Sequence, residues 1–62
     1  MTSAAIIKAL EADGWSEVAH KGSHKQFKHP TKTGRVTVPN PVKDMPIGTL
    51  RSIEKQNGVR LR

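Results

Sequence analysis

Cysteine is absent from this 62-residue chain. That excludes disulfide bridges and thiolate zinc sites together, and it suits a reducing compartment, where oxidative staples have no place. Apolar runs are short as well. None approaches the roughly 18 residues that a membrane-spanning helix needs. Met1–Leu10 lacks a basic region followed by an apolar stretch, so neither a secretory signal nor a membrane anchor is expected, and the cytoplasm is the expected location. Repeats, low-complexity segments and long linkers are missing too, so residues 1–62 are expected to form a single domain. A chain of this size hides only about 60% of the surface that its unfolded form exposes. Its core must be thin, a condition that small scaffolds often meet with a metal or a partner chain.

Acidic residues are also scarce. Five Asp and Glu stand against eleven Lys and Arg, giving a formal net charge of +6. Positive charge at this density favours polyanions, and nucleic acid is the commonest of them in a cell.

The pattern along the chain predicts two helices around three strands. Thr2–Ala12 reads as a helix, with Ile6, Ala9 and Leu10 on one face. Thr2 or Ser3 supplies its cap, and Asp13-Gly14 its left-handed stop. Trp15–Lys21 and His24–His29 read as strands joined by Gly22-Ser23, a Gly-first loop suited to a type II′ hairpin. Trp15 is expected to anchor the core. A third strand, Arg35–Val38, follows the turn residues Pro30-Thr31-Lys32-Thr33-Gly34 and is ended by Pro39 and Pro41. The last helix spans Pro46–Asn57, with proline at its first position, Gly58 closing it, and Ile47, Leu50 and Ile53 as its buried stripe. The expected class is therefore α+β, in the order α-β-β-β-α. Two helices cover one face of a three-stranded antiparallel sheet and leave the other face open.

Alternation along the strands assigns residues to that open face. If Phe27 packs inward, Lys25 and His29 share its side, while His24, Gln26 and Lys28 point outward. Val36 and Val38 inward leave Arg35 and Thr37 outward. The first strand is ambiguous, because Val18 inward brings Ser16 and His20 with it.

His24 is the leading candidate for chemistry. It follows the tight Gly22-Ser23 turn and is flanked by Lys21 and Lys25. RNA can be cut without a metal, since its own 2′-hydroxyl can attack the adjacent phosphate. That reaction needs a group that moves a proton near neutral pH, and histidine, with an ordinary pKa of about 6.5, is such a group. Neighbouring lysines can stabilise the charge that develops on the phosphate, and Gly22 lets the RNA backbone come close. Three histidines also raise a metal site, but His20, His24 and His29 straddle a hairpin with conflicting parities and no carboxylate beside them, so no metal is expected. His29, ahead of Pro30, reads as a structural or turn residue. Ser23 lacks a base oriented by a carboxylate, which leaves it as a turn residue and phosphate contact. Arg51 and Lys55 form a basic stripe on the second helix that reads equally well as a binding surface or a solvated face.

Taken in order, Gly14-Trp15, Lys21-Gly22-Ser23-His24 with Phe27 and His29-Pro30, Val36-Thr37-Val38-Pro39, and Pro46-Ile47-Gly48-Thr49-Leu50-Arg51-Ser52-Ile53 resemble HicA-type toxins. These are the small ribonuclease halves of HicA–HicB toxin–antitoxin pairs. The resemblance implies a fold like that of double-stranded-RNA-binding domains and cleavage of messenger RNA as an mRNA interferase in a stress response. It implies no metal or other cofactor, and a cognate HicB-type antitoxin as partner. The essential histidine of the Gly-Ser-His block falls on His24 and its glycine on Gly22. With the parity argument, the expected RNA-binding residues are Lys21, Gly22, Ser23, Lys25, Gln26, Lys28 and Arg35. Many relatives carry a histidine shortly after the Val-Pro element, where this chain has Asn40-Pro41, and Asn40 cannot replace the proton chemistry of a histidine. The alternative is a non-catalytic binding module of double-stranded-RNA-binding type. Such a module gathers lysines at the start of its last helix, and Met45–Leu50 contains none.

Overall fold

The computed structural model describes residues 1–61. Helix α1 spans Ser3–Ala12, strands β1, β2 and β3 span Ser16–Lys21, His24–Lys28 and Val36–Pro39, and helix α2 spans Ile47–Asn57. The sheet runs β1-β2-β3 with both pairs antiparallel. This is the α+β arrangement anticipated from the sequence.

Thr2, in an extended conformation, caps α1 by accepting the Ala5 N–H at 3.1 Å. Ser3 is the first helical residue and is buried. Its N–H donates to the Val42 carbonyl at 2.8 Å, and its hydroxyl donates to Asn40 Oδ1 at 2.8 Å while accepting the Val42 N–H at 2.9 Å. The start of α1 is thereby stitched to the connection between β3 and α2. At the other end, Trp15 N–H donates to the Leu10 carbonyl and Gly14 N–H to that of Glu11, both at 3.0 Å, with Gly14 at φ +100°. This is a Schellman motif. Its apolar contact joins Trp15 and Leu10, which are 2% and 0% exposed.

Two expectations for α2 need correction. Pro46 stands outside the helix as its N-cap, with ψ 144°, and its carbonyl accepts the first helical bond from Leu50 N–H at 3.0 Å. Ile47 is 54% exposed rather than part of the buried stripe. Residues three apart on a helix differ by about 60° in direction, so Ile47 and Ile53 diverge by about 120° and cannot share one narrow stripe. The buried face runs Leu50, Ile53, Asn57, and Met45 from the preceding connection is buried as well. Strand β3 is also displaced by one residue from its expected span. It starts at Val36 and includes Pro39, which an edge strand tolerates.

Ile6 and Leu10 from α1, Leu50 and Ile53 from α2, and Phe27, Val36 and Val38 from the sheet meet in one core with Trp15, Met45 and Leu61. Beside that core, His29 ties three element ends together. Its Nδ1 accepts the N–H groups of Thr31 and Lys32, each at 3.1 Å, so the ring hydrogen sits on Nε2. Nε2 donates to the Asp13 carbonyl at 2.7 Å, and the ring meets Trp15 edge-on at a centroid distance of 5.3 Å. The Asp13 carboxylate accepts from the Trp15 indole N–H at 3.1 Å and from Lys32, which also donates to the Asn57 carbonyl at the end of α2.

Two predictions follow from this knot. A Cβ on Gly14 stands 2.9 Å from His29 Nε2, on a backbone that already disfavours side chains. Gly14→Ala is therefore expected to cost about 2 kcal/mol or more, read from the denaturant midpoint. The Asp13 carboxyl is held below the usual carboxylate range, first by the Lys32 hydrogen bond and further by the Trp15 indole, with desolvation acting the other way. A carboxyl whose pKa is lower in the folded state stabilises the fold while ionised. That contribution is complete above the unfolded pKa and is lost as the pH falls through the folded one. The melting temperature should thus decline on acidification below about pH 4, and Asp13→Asn should lie lower at neutral pH with a shallower decline.

Candidate active site

The pairing of β1 with β2 decides which side chains reach the open face. Ser16 opposes Lys28 and Glu17 opposes Phe27, after which the register shifts so that Ala19 opposes Gln26, His20 opposes Lys25 and Lys21 opposes His24. Val18 is the extra residue of a β-bulge and is 50% exposed. Directly opposed residues share a face. Glu17 and His20 therefore lie on the helix side with Phe27, while Ser16, Ala19 and Lys21 lie on the open side. Strict alternation from Glu17 carries Lys21 to the helix side. The bulge reverses that and sets Lys21 beside His24.

On the other side of β2, His24 opposes Pro39, Gln26 opposes Thr37, and Lys25 opposes Val38. The open face thus carries Lys21, His24, Gln26, Lys28, Thr37 and Pro39, together with Arg35, whose Nη1 donates to Gln26 Oε1 at 2.6 Å. None of the strand residues on this face is acidic. His24 is exposed, and its side chain makes no hydrogen bond to any other described residue.

The remaining candidates fall in different places. Lys25, expected among the RNA contacts, lies on the helix side, where its ammonium pairs with Glu17 at 3.3 Å. Gly22 has φ +55°, and a Cβ there meets nothing within 4 Å, so its requirement is conformational. With no other residue type at positive φ, the Gly22-Ser23 turn has the sign pattern of the type II′ loop. The Ser23 carbonyl accepts the Asn40 N–H at 2.6 Å, which fastens the turn to the end of β3. Asn40 thus stands next to the turn that carries His24, with its side-chain oxygen engaged by Ser3.

Strand parity alone locates His24, Gln26, Lys28 and Arg35. It gives no position for Lys21, because no local composition marks Val18 as a bulge, and it misses Pro39, which reads as a strand terminator. The three histidines diverge: His24 outward, His20 to the helix side, His29 into the knot. Among the described residues no group of three or more His, Cys, Asp or Glu is placed to hold a metal ion. No helix among them is long and apolar enough to cross a membrane. A cleft of about 430 Å³ is lined by Glu54, Gly58, Val59 and Arg60, none of them on the open face. The open face is an exposed surface that suits an extended anionic chain, with an imidazole at one end able to take or give a proton.

Residues 3–59 match the family model described as HicA toxin of bacterial toxin–antitoxin. No curated protein matches the chain. Among solved structures, a chain of a HicA3 and HicB3 toxin–antitoxin complex is similar over 100% of both chains, with a TM-score of 0.88 and 33% identity. The chain belongs to the HicA toxin family.

Proposed function

We propose that this chain is the ribonuclease half of a toxin–antitoxin pair, cutting messenger RNA in the cytoplasm on its open sheet face without a metal cofactor. The observation that carries the reading is the isolated His24 imidazole, exposed and unbonded, opposite Lys21 at the end of the hairpin. Membership of the HicA family supports the toxin role.

RNA supplies the nucleophile. The 2′-oxygen bonds to phosphorus as the bond from phosphorus to the 5′-oxygen breaks, leaving a 2′,3′-cyclic phosphate on one fragment and a 5′-hydroxyl on the other. One proton leaves the 2′-hydroxyl and one reaches the departing oxygen. His24 carries one of these transfers and solvent the other, because no second histidine and no carboxylate lies among the strand residues of its face. Asn40, close to the turn, adds no proton chemistry. Lys21 stabilises the charge gathering on the phosphate. Lys28, Arg35 and Gln26 hold the strand, and the Gly22-Ser23 turn gives its backbone room to approach. Lys25 contributes through its field, from the helix side.

His24→Ala should lower the cleavage rate by about a hundredfold or more. RNA affinity and melting temperature should change little, because the side chain is exposed and bonds to no other described residue. Labelled RNA should yield cyclic-phosphate ends at the same rate in excess chelator. Loss of cleavage in chelator with recovery on a divalent ion, or an Ala variant as fast as the parent, removes the proton-transfer assignment.

The solved relative is a complex of HicA3 with HicB3, which supports a HicB-type antitoxin as partner here. An inhibitor of a face this basic is expected to cover His24 with acidic and aromatic groups. Such a complex should melt at higher temperature than the toxin alone, since a ligand that binds only the folded chain stabilises it by mass action. Footprinting should find His24 protected. A complex that leaves His24 open and still cuts RNA contradicts this mode of inhibition.

A further inference from the structure

Gln26 occupies the middle of the open face, between Ala19 of β1 and Thr37 of β3. A carboxamide has one accepting oxygen and one donating NH₂. With its oxygen engaged by Arg35 at 2.6 Å, Gln26 presents the NH₂ as its remaining polar group. Arg35 is exposed, and its guanidinium fork retains further N–H donors. Lys25 and Lys32 have carboxylate partners, whereas Arg35 has none among the described residues. The centre of the face is thus arranged to donate hydrogen bonds to an anion.

Its position gives the anion a place. Gln26 is two residues from His24 along β2, about 7 Å at the usual rise of a strand. That separation is comparable to the one between successive phosphates of an RNA strand. The aromatic content points the same way. The chain has one Trp, one Phe and no Tyr, and Trp15 and Phe27 are 2% and 0% exposed. The open face therefore has no large aromatic platform on which bases could stack.

We propose that Arg35 is a phosphate anchor that grips the RNA phosphate next to the scissile one, and that Gln26 is the positioning residue that holds its guanidinium over the face. The inference rests on the ribonuclease reading above and adds how the strand is held, by its backbone more than by its bases. A planar guanidinium fixed by one of its edges keeps the other free for a phosphate, and the bond to Gln26 removes side-chain freedom before RNA arrives. The substrate is single-stranded RNA, recognised with little preference among bases and with strong dependence on salt.

The test uses short single-stranded RNA oligonucleotides, each with one phosphate flanking the cleavage site replaced by an uncharged methylphosphonate. In the parent protein, neutralising one particular flanking phosphate is expected to raise KM about tenfold with kcat little changed. In Arg35→Ala, KM is already raised and the same neutralisation has no further effect. Arg35→Lys recovers the charge without the fork and restores only part of the loss. Gln26→Leu raises KM by less, leaves the melting temperature in place, and adds only part of its effect in the Arg35→Ala background. If every neutralised phosphate affects Arg35→Ala as much as the parent, the anchor is wrong. Gln26→Leu that lowers the melting temperature and adds in full to Arg35→Ala overturns the positioning role.

Binding of the same oligonucleotides to His24→Ala, read by fluorescence anisotropy, separates this proposal from the catalytic one. There, adding Arg35→Ala should reduce the salt slope by about one and abolish sensitivity to the same phosphate. Phosphate coupling in binding without cleavage by the parent supports the anchor and overturns the ribonuclease. Cleavage without coupling overturns the anchor alone.

Discussion

Among the described residues, ten buried apolar side chains form the core, and those of the two helices meet the sheet through Phe27, Val36 and Val38, which share one of its faces. These residues have little more apolar material to bury, and none of the described elements forms a second layer over the opposite face. The proposed site depends on that open face. The uncovered face has to remain solvated and polar. In a chain carrying +6, its strands display lysine, glutamine and histidine, joined by Arg35 just ahead of β3, with no carboxylate among them. Strand β1 shows the limit most clearly, since none of its side chains is buried, and the sheet pairing with β2 secures it.

Much of this is legible in the amino-acid sequence. Phe27 in β2 and the alternating Val36 and Val38 in β3 identify the helix side, and the opposite parity places His24, Gln26, Lys28 and Arg35 together. Terminal signals work where they are local and steric, as in the Asp13-Gly14 stop and the Gly22-Ser23 turn. They fail where two geometries satisfy the same residue. Proline suits both an N-cap and a first helical position, and only the ψ angle of Pro46 decides between them. The three-residue spacing of Ile47, Leu50 and Ile53 looks like one stripe but curves around the helix, which leaves Ile47 in water.

The elements that complete the site are less readable because they arise from long-range register. A bulge is a count of residues on one strand against another, and nothing in Glu17-Val18-Ala19 announces it. Its effect reaches well beyond Val18, since it turns Lys21 toward His24 and commits Glu17 to the helix side with Lys25. The knot around His29 is similar. Its place ahead of Pro30 marks His29 as structural, yet its partners come from residues up to 16 positions away. The bond between Gln26 and Arg35 joins side chains that parity can assign to one face but cannot bring into contact.

The acids complete the argument about charge. Asp13 is committed to Lys32 and the Trp15 indole, Glu17 to Lys25, and Glu54 accepts the N–H of Leu61. The two ion pairs among the described residues thus engage Lys32 near element ends and Lys25 on the helix side, and leave Lys21, Lys28 and Arg35 of the open face without counterions from the strands. Lys21, Lys28 and Arg35 share that face with no carboxylate from the strands, so an anion from outside would relieve their mutual repulsion. Self-repulsion of this kind destabilises a compact chain, and a thin core leaves little reserve against it. On the proposed ribonuclease reading, an arrangement that draws a polyphosphate strand toward His24 also favours an acidic protein over the face. In the proposed function, substrate and inhibitor compete for one electrostatic deficit.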